Sequence, residues 1–290
     1  MGYQSIFAPN LFKGQTIIVT GGGSGIGRCT AHELAALGAN VVIIGRNLDK
    51  LENVQTEIVG EGGEVMVQVC DIRDEQNVID TIDSVLDKYG CIHGLVNNAG
   101  GQYRSAMKNI STKGFEAVIK NNLTGGFIFM REIYNRCMEK NGGNIVNIIA
   151  DIWHGWPELS HSGAARGGML TLSESVACEW AASNVRVNCV APGGIASSGF
   201  DTYSDEMKKK ILEHPARVPL QRYGTEAEIS AAIVYLLSPA AAYITGTCLR
   251  VDGGTPNARQ TWNLEKSDKN KPFEGFHLSV LPEMLRNPPA

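Results

Sequence analysis

Short apolar runs without an alternating polar position recur along the chain, and each is followed by a longer segment whose apolar residues are three or four positions apart. Ile17-Ile18-Val19 and Val41-Val42-Ile43-Ile44 are the clearest of these runs. A strand that is apolar on both faces must be covered on both faces, which is typical of parallel sheets between two layers of helices. The pattern therefore predicts an α/β fold with a doubly wound parallel sheet.

The predicted elements form one uninterrupted series. Seven strands are expected, at Thr16–Thr20, Ala39–Gly45, Glu64–Asp71, Gly94–Asn98, Asn144–Ala150, Val185–Ala191 and Thr247–Asp252. Six helices are expected between them, at Arg28–Leu37, Asp49–Val59, Glu75–Lys88, Lys113–Glu139, Gly163–Ala181 and Thr225–Leu237. No repeat or linker divides the series, so we expect a single domain over residues 15–254. Residues 1–14 are expected to be an irregular lead-in, and residues 255–290 a tail that packs on the surface or on a neighbouring subunit.

The composition of the chain excludes some classes of partner and indicates the cellular compartment. The chain has a net charge of −4, and its Lys and Arg are scattered apart from Lys208-Lys209-Lys210, so we expect no nucleic-acid partner. Its seven cysteines are far apart and include no Cys-x-x-Cys pair, which predicts reduced, buried thiols and no metal site. No apolar run is long enough to span a membrane, and residues 1–15 lack the layout of a signal peptide. We therefore expect a soluble, cytoplasmic protein.

A glycine-rich segment follows the first predicted strand and opens the first helix. It reads Thr20-Gly21-Gly22-Gly23-Ser24-Gly25-Ile26-Gly27. Glycines in this position allow the backbone to approach a pyrophosphate, and the helix N-terminus offers free N–H groups and a partial positive charge. The segment predicts a Rossmann-type fold that binds a dinucleotide, with Gly21, Ser24, Gly25, Ile26 and Gly27 at the pyrophosphate.

The end of the second strand indicates which dinucleotide is bound. An NAD site usually has an Asp or Glu here that accepts hydrogen bonds from the ribose 2′-hydroxyl, but this chain has Gly45-Arg46. The guanidinium of Arg46 can bind a 2′-phosphate, which a carboxylate would repel. We therefore expect NADP(H), although a solvated arginine at a strand end stays a possible alternative.

Four motifs in the expected order resemble those of the short-chain dehydrogenase/reductase family. They are Thr20 to Gly27, Asn97-Asn98-Ala99-Gly100, Asn122-Leu123-Thr124-Gly125, and the loop Pro192-Gly193-Gly194-Ile195-Ala196-Ser197. The closing Val251-Asp252-Gly253-Gly254 also matches the family's final strand. The resemblance covers nearly the whole chain. It implies a homodimer or homotetramer that assembles through the fourth and fifth helices.

The resemblance also implies roles for residues along the cofactor. Asp71 and Ile72 would flank the adenine, and Asn98, Ala99 and Gly100 would line the ribose region. Pro192 and Gly193 begin the loop that would hold the nicotinamide end, where Ile195 and Ser197 would make contact.

The residues that carry the chemistry depart from the family's usual set of Asn, Ser, Tyr and Lys. Asn122 is retained, whereas Ile149 stands at the Ser position, Ser162 at the Tyr position and Arg166 at the Lys position. The segment from His161 to Arg166 resembles a branch that includes peroxisomal trans-2-enoyl-CoA reductase and 2,4-dienoyl-CoA reductase. In that branch the tyrosine is likewise replaced. We expect Arg166 to bind the cofactor and to take no part in proton transfer.

The lost tyrosine favours one reaction over another. Ketone reduction leaves an alkoxide that needs an acid, and neither Ser162 nor Arg166 is a suitable acid. Reduction of an enoyl thioester places hydride on the β-carbon and leaves an enolate, whose oxygen needs only hydrogen-bond donors. Asp151, at the end of the fifth predicted strand, could hold a water or a proton, or could cap a helix.

Three functions stay open from the sequence. The leading hypothesis is NADPH-dependent reduction of an α,β-unsaturated acyl thioester such as an acyl-CoA. The second is an alcohol or carbonyl dehydrogenase for an aliphatic or isoprenoid substrate, and the third is a weakly catalytic cofactor-binding sensor or scaffold. Tyr103 and His161 are expected to be structural.

Overall fold

A seven-stranded parallel sheet forms the centre of the molecule, in the order β3-β2-β1-β4-β5-β6-β7. The structure is a computed structural model and describes residues 2–197, 200, 205–258, 263–265, 267 and 269–286. The strands are β1 Thr16–Thr20, β2 Asn40–Gly45, β3 Glu64–Val69, β4 Gly94–Asn97, β5 Gly143–Ile148, β6 Val185–Pro192 and β7 Cys248–Val251. The predicted doubly wound α/β sheet is confirmed.

Helices cover both faces of the sheet. They are α1 Gly25–Ala36, α2 Leu48–Gly60, α3 Glu75–Tyr89, α4 Thr112–Ile119, α5 Gly125–Ile133, α6 Glu139–Asn141, α7 Ser160–Glu179, α8 Asp205–Glu213, α9 Glu226–Leu237 and α10 Glu283–Arg286. Ile17 and Val19 of β1 pack with α1, α2 and α9, whereas Ile18 packs with α3, α5 and α7. Both faces of the strand are therefore buried, which explains why its sequence does not alternate.

Several boundaries differ from the sequence prediction. The helix expected over Lys113–Glu139 is divided into α4, α5 and α6 by two π-helical turns, Lys120–Thr124 and Tyr134–Met138. The apolar spacing continues through both turns, so the pattern could not reveal them. The fifth strand ends at Ile148, so Asp151 lies beyond the strand end and not on it. Helix α8 was not predicted at all.

The two chain ends pack against each other beside α1 and α9. Gln4 N donates to the carbonyl of Gly275 at 2.9 Å, and Phe276 is buried against Tyr3 and the ring of His32. These described parts of the tail therefore pack on their own subunit. Residues 259–262, 266, 268 and 287–290 of the predicted tail lie outside the described residues.

The structure tests two further expectations, that the cysteines are buried and that no segment spans a membrane. Cys29, Cys70, Cys137 and Cys189 are buried, but Cys178 is exposed, so the expectation that all the thiols are buried was wrong. Cys178 lies in the last turn of α7, next to the buried Val176 and Ala177. Within the described residues, no helix is long and apolar enough to cross a membrane.

Candidate cofactor and catalytic site

The glycine loop is packed too tightly for side chains. Gly21 has a φ of 68°, and a Cβ atom on Gly27 would lie 2.3 Å from the carbonyl oxygen of Gly21. Ser24 is the N-cap of α1 but accepts no hydrogen bond on its side chain from the helix. The first N–H groups of α1 are therefore available to an anion, as a pyrophosphate site requires.

Two side chains fix this loop to the end of β4. The Thr20 hydroxyl accepts from the backbone N–H groups of Asn98 and Ala99, both at 3.0 Å, and Asn98 Nδ2 donates to Thr20 O at 3.0 Å. The amide of Asn98 is thus used within the protein. Asn98 shapes the loop, while Ala99 and Gly100 lie at the ligand side.

A cavity of about 230 Å³ opens where the adenosine end of a dinucleotide would lie. Of the sequence-predicted residues, it is lined by Gly21, Ser24, Arg46, Asp71, Ile72, Ala99 and Gly100. Gly25, Ile26 and Gly27 belong to α1 and are not part of its lining. The cavity brings the glycine loop, the end of β2 and the end of β3 together at one edge of the sheet, as a parallel sheet predicts.

Two cations face this cavity. Arg46 and Lys50 both line it, are exposed, and have no side-chain hydrogen bond or ion pair with any of the described residues. Asn47 caps α2 by accepting from Lys50 N at 2.9 Å, so the amino end of α2 also points here. The sequence analysis missed Lys50, whose position one turn into α2 could have been recognised from the end of β2.

Asp71 is held in its ionised form. The guanidinium of Arg73 donates to both carboxylate oxygens, through Nε at 2.8 Å and Nη2 at 2.5 Å. These bonds lower the pKa of Asp71 to about 2. The backbone N–H of Asp71 donates to Asn77 Oδ1 at 2.8 Å, which fixes the strand end beside the cavity.

Asn122 and Arg166 converge on the backbone beyond β4. Asn122, in the first π turn, accepts from Gly101 N at 3.0 Å and donates to Gly101 O at 2.8 Å. Arg166 Nη1 donates to Ile148 O at 2.6 Å. A Cβ atom on Gly100 would lie 2.5 Å from Arg166 Nη2 and 2.6 Å from Asn122 Oδ1. The three residues therefore form one contiguous wall.

Arg166 remains a cation near neutral pH. Burial lowers its pKa to about 10, which is still well above neutral pH. Its Nε is buried and has no partner among the described residues. A buried donor of this kind is expected to meet a ligand atom.

Ser162 does not present a free hydroxyl. It is fully buried and donates to Gln102 Oε1 at 2.5 Å. Gln102 was missed by the sequence analysis, because 60 positions separate it from Ser162. The neighbouring His161 is also fully buried and packs edge-on against Tyr103, with ring centroids 4.7 Å apart.

Asp151 lies next to the loop that follows β6. Its backbone N–H donates to Pro192 O at 3.2 Å, and its Oδ1 is buried without a partner in the described part of the chain. Burial and the nearby Asp252 raise the pKa of Asp151. The carboxyl group can therefore hold a proton at a higher pH than an exposed aspartate.

The loop from Pro192 to Ser197 closes this end of the site. Gly193 N donates to Val251 O at 3.0 Å and Ala196 N to Gly224 O at 3.0 Å, while Ile195 is buried. Ser197 is half-buried, and its backbone carbonyl accepts from Phe200 N at 3.0 Å. The loop is thus fixed to the end of β7 and to the segment before α9.

The model of the family described as enoyl-(acyl carrier protein) reductase matches residues 21–256. This match spans the glycine loop, the Asn122 turn and the loop after β6. The chain belongs to the short-chain dehydrogenase/reductase family. The family shows that the protein is an oxidoreductase of the kind that uses NAD(P)(H), and the cavity and glycine loop fit such a group.

Known relatives differ in their substrates. The chain is 32% identical to peroxisomal 2,4-dienoyl-CoA reductase of Danio rerio, over 87% of this chain and 85% of the relative. It is 36% identical to 3-oxoacyl-[acyl-carrier-protein] reductase of Synechocystis, over 83% and 96%. A solved structure, citronellol catabolism dehydrogenase of Pseudomonas aeruginosa, is 52% identical with a TM-score of 0.79, over 88% of this chain and all (100%) of that one.

Proposed function

We propose that this short-chain dehydrogenase/reductase uses NADPH to reduce the double bond of an α,β-unsaturated acyl thioester. The observation that carries the proposal is the Ser162 hydrogen bond to Gln102 at 2.5 Å, beside an arginine in place of lysine. The Ser162 hydroxyl already donates its hydrogen bond to Gln102, and Arg166 stays charged. Neither group can protonate the alkoxide of a carbonyl reduction, whereas conjugate reduction does not need such an acid.

The choice of NADPH is supported by charge. Arg46 and Lys50 place two unpaired cations at the cavity, next to the amino end of α2. A 2′-phosphate carries nearly two negative charges and three acceptor oxygens, which these groups can bind. No carboxylate stands at the end of β2 to select a ribose hydroxyl.

Each residue of the catalytic end has a role in this proposal. A bound nicotinamide would supply the hydride to the β-carbon. Gln102 accepts from Ser162 through Oε1, which leaves its amide N–H groups to donate to the enolate oxygen. Arg166 would position the ribose through its buried Nε, and Asn122 fixes Gly101 beneath it. Asp151 or a water that it holds would protonate the α-carbon.

A second function is favoured by one comparison. The Pseudomonas structure, at 52% identity, is described as a dehydrogenase of citronellol catabolism, which suggests an isoprenoid alcohol or aldehyde as the substrate. Asp151, with its raised pKa, could then stand in for the missing tyrosine. The two functions could also share a branched, apolar acyl or alkyl chain.

Steady-state kinetics with both cofactors distinguishes these functions. NADPH oxidation is followed with enoyl-CoA substrates of straight and branched chains, and NADP⁺ reduction is followed with citronellol and other primary alcohols. We expect turnover with the enoyl-CoA set and a kcat/KM at least tenfold higher with NADPH than with NADH. Turnover of the alcohols alone would contradict enoyl thioester reduction and support the alcohol dehydrogenase function. Binding of NADPH without any turnover would indicate a sensor or scaffold.

Assembly and compartment belong to the same proposal. We propose a homodimer or homotetramer in the cytoplasm, with residues 15–254 as the catalytic domain. Multi-angle light scattering at micromolar concentration should give a mass of two or four subunits, and a monomer would contradict this part.

A further inference from the structure

Two cysteines that the proposed reaction does not use lie close together near the amino end of β4, at the end of the sheet away from the cofactor cavity. Cys91 lies between the end of α3 and the start of β4, and Cys137 lies in the second π turn. Their Sγ atoms are 3.1 Å apart, although 46 positions separate them in the sequence. All seven cysteines are described, and among their hydrogen bonds this is the one that joins two sulfurs.

The surroundings hold the deeper sulfur in place. Ile92 N donates to Cys137 Sγ at 3.2 Å, and Asn141 Nδ2 donates to the Cys137 carbonyl at 2.9 Å. Cys137 is 3% exposed, whereas Cys91 is half-buried. An oxidant in solution can therefore approach Cys91 first, and Cys137 is already in position behind it.

We propose that Cys91 and Cys137 are a site of reversible oxidation. A small-molecule disulfide such as oxidised glutathione is the oxidant, and the product is an intramolecular disulfide between the two cysteines. A disulfide bond is about 2.05 Å long, so the two sulfurs need to approach by about 1 Å. Cys189 and Cys248 are also neighbours, as paired residues on β6 and β7, but no hydrogen bond between their sulfurs is found, unlike the bond between Cys91 and Cys137. Cys178 is exposed.

The reaction proceeds in two exchanges. The Cys91 thiolate attacks one sulfur of oxidised glutathione, forming a mixed disulfide and releasing one glutathione thiolate. The Cys137 thiolate then attacks the Cys91 sulfur of that mixed disulfide and releases the second glutathione. Two protein thiols are oxidised, one glutathione disulfide is reduced, and the two protons pass to the released thiolates.

The environment makes the first exchange slow at neutral pH. Burial and the neighbouring Cys137 thiol raise the pKa of Cys91 to about 12. Only a minor fraction of Cys91 is then thiolate at pH 7, and about a hundredfold more is present at pH 9. The pair should stay reduced in a reducing compartment and respond to sustained oxidation.

Mass spectrometry of the folded, full-length protein tests the site. Reduced protein is incubated with oxidised glutathione at pH 9, alkylated after denaturation and digested. We expect a peptide pair joined by Cys91 and Cys137 in the wild type and in the control variant Cys178→Ser. In Cys137→Ser we expect a stable glutathione adduct on Cys91, because the second thiol is missing.

Two results would overturn the proposal. One is a glutathione adduct that persists on Cys91 of the wild type. The other is an unmodified Cys91 in protein whose Cys178 is fully glutathionylated. Thermal unfolding gives a second measurement, since closing the 46-residue span should raise the Tm of oxidised wild type by roughly 5–10 °C over oxidised Cys91→Ser. An unchanged or lower Tm would mean that the native geometry does not accommodate the bond.

Discussion

At the scale of residues, we expect individual side chains to decide cofactor choice and proton transfer in this protein. Arg46 and Lys50 line the cavity without a side-chain hydrogen bond or ion pair to the described residues, whereas Arg166 is half-buried behind Gly100 and is not part of the lining. The first two can select between cofactors through charge alone. We expect the third to act through hydrogen bonds, since Arg166 Nη1 already donates to Ile148 O at 2.6 Å. Substitutions at the two ends should therefore change different kinetic quantities.

Arg46→Asp should weaken NADPH binding far more than NADH binding. The change removes a phosphate partner and adds a repelling charge, which we expect to raise the Kd for NADPH by at least fiftyfold, about 2–3 kcal/mol, and the Kd for NADH by less than threefold. Fluorescence titration with both cofactors measures this. Lys88→Asp, the same charge change on the exposed end of α3, is the control and should change neither Kd.

Arg166→Ala should weaken NADPH by about 1–3 kcal/mol, the usual range for lost hydrogen bonds to a charged group. It would also leave the Ile148 carbonyl without its donor. Arg166→Lys keeps the charge and should retain most of the binding and appreciable turnover. Calorimetric titration with NADPH compares the two variants. An unaltered affinity in Arg166→Ala would show that this side chain does not touch the cofactor.

At the scale of elements, the packing of α9 on α1 buries a carboxyl group beside the glycine loop. Glu226, in the first turn of α9, is 9% exposed, and its Oε1 lies 3.7 Å from the position of a Cβ on Gly25. Burial raises the pKa of Glu226 to about 7 from a model-peptide value of 4.5. The folded state therefore binds a proton that the unfolded state releases between these pH values.

This proton makes stability depend on pH in a definite direction. The stabilisation is fully present below pH 4.5 and is lost as the pH rises to about 7, by about 2–3 kcal/mol from this group. The glutamine of Glu226→Gln cannot ionise, so this variant should not lose that stability as the pH rises. Denaturant unfolding at pH 5 and pH 7.5 checks it, with the exposed Glu179→Gln as the control. An equal pH dependence in wild type and Glu226→Gln would exclude this role.

Elements whose pattern is local were predictable, and contacts between elements were not. The apolar runs gave all seven strands, and the glycine loop could be recognised within eight consecutive residues. Gln102 and Glu226 acquire their roles only when distant segments meet, so no local pattern marks them. The π turns keep the helical spacing of apolar residues, so they too leave no signal.

At the scale of the whole molecule, the C-terminal tail joins the two helices that flank the glycine loop. Phe276 is 3% exposed and lies against Tyr3, His32 and the guanidinium of Arg28 in α1. Thr225, the N-cap of α9, donates to Phe273 O at 2.8 Å. The sequence predicted a packed tail but not its location, because its few apolar residues have no period.

Phe276→Ala should therefore destabilise the whole domain. Truncating a buried phenylalanine costs about 3 kcal/mol, which should lower the Tm by roughly 4–6 °C for a chain of this size. Leu281→Ala, at a tail position that is 48% exposed, is the control and should change stability by less than about 0.5 kcal/mol. Calorimetry measures both. Equal effects of the two changes would mean that the tail is not part of the core.

In the proposed reaction, hydride is delivered to the β-carbon of an enoyl thioester and not to a carbonyl carbon. The most direct test uses NADPH deuterated at the transferred position, an enoyl-CoA substrate and NMR analysis of the product. We expect a saturated acyl-CoA with one deuterium on the β-carbon and solvent hydrogen on the α-carbon. Deuterium on a carbinol carbon, from reduction of a ketone or aldehyde while the enoyl-CoA stays unreacted, would contradict it.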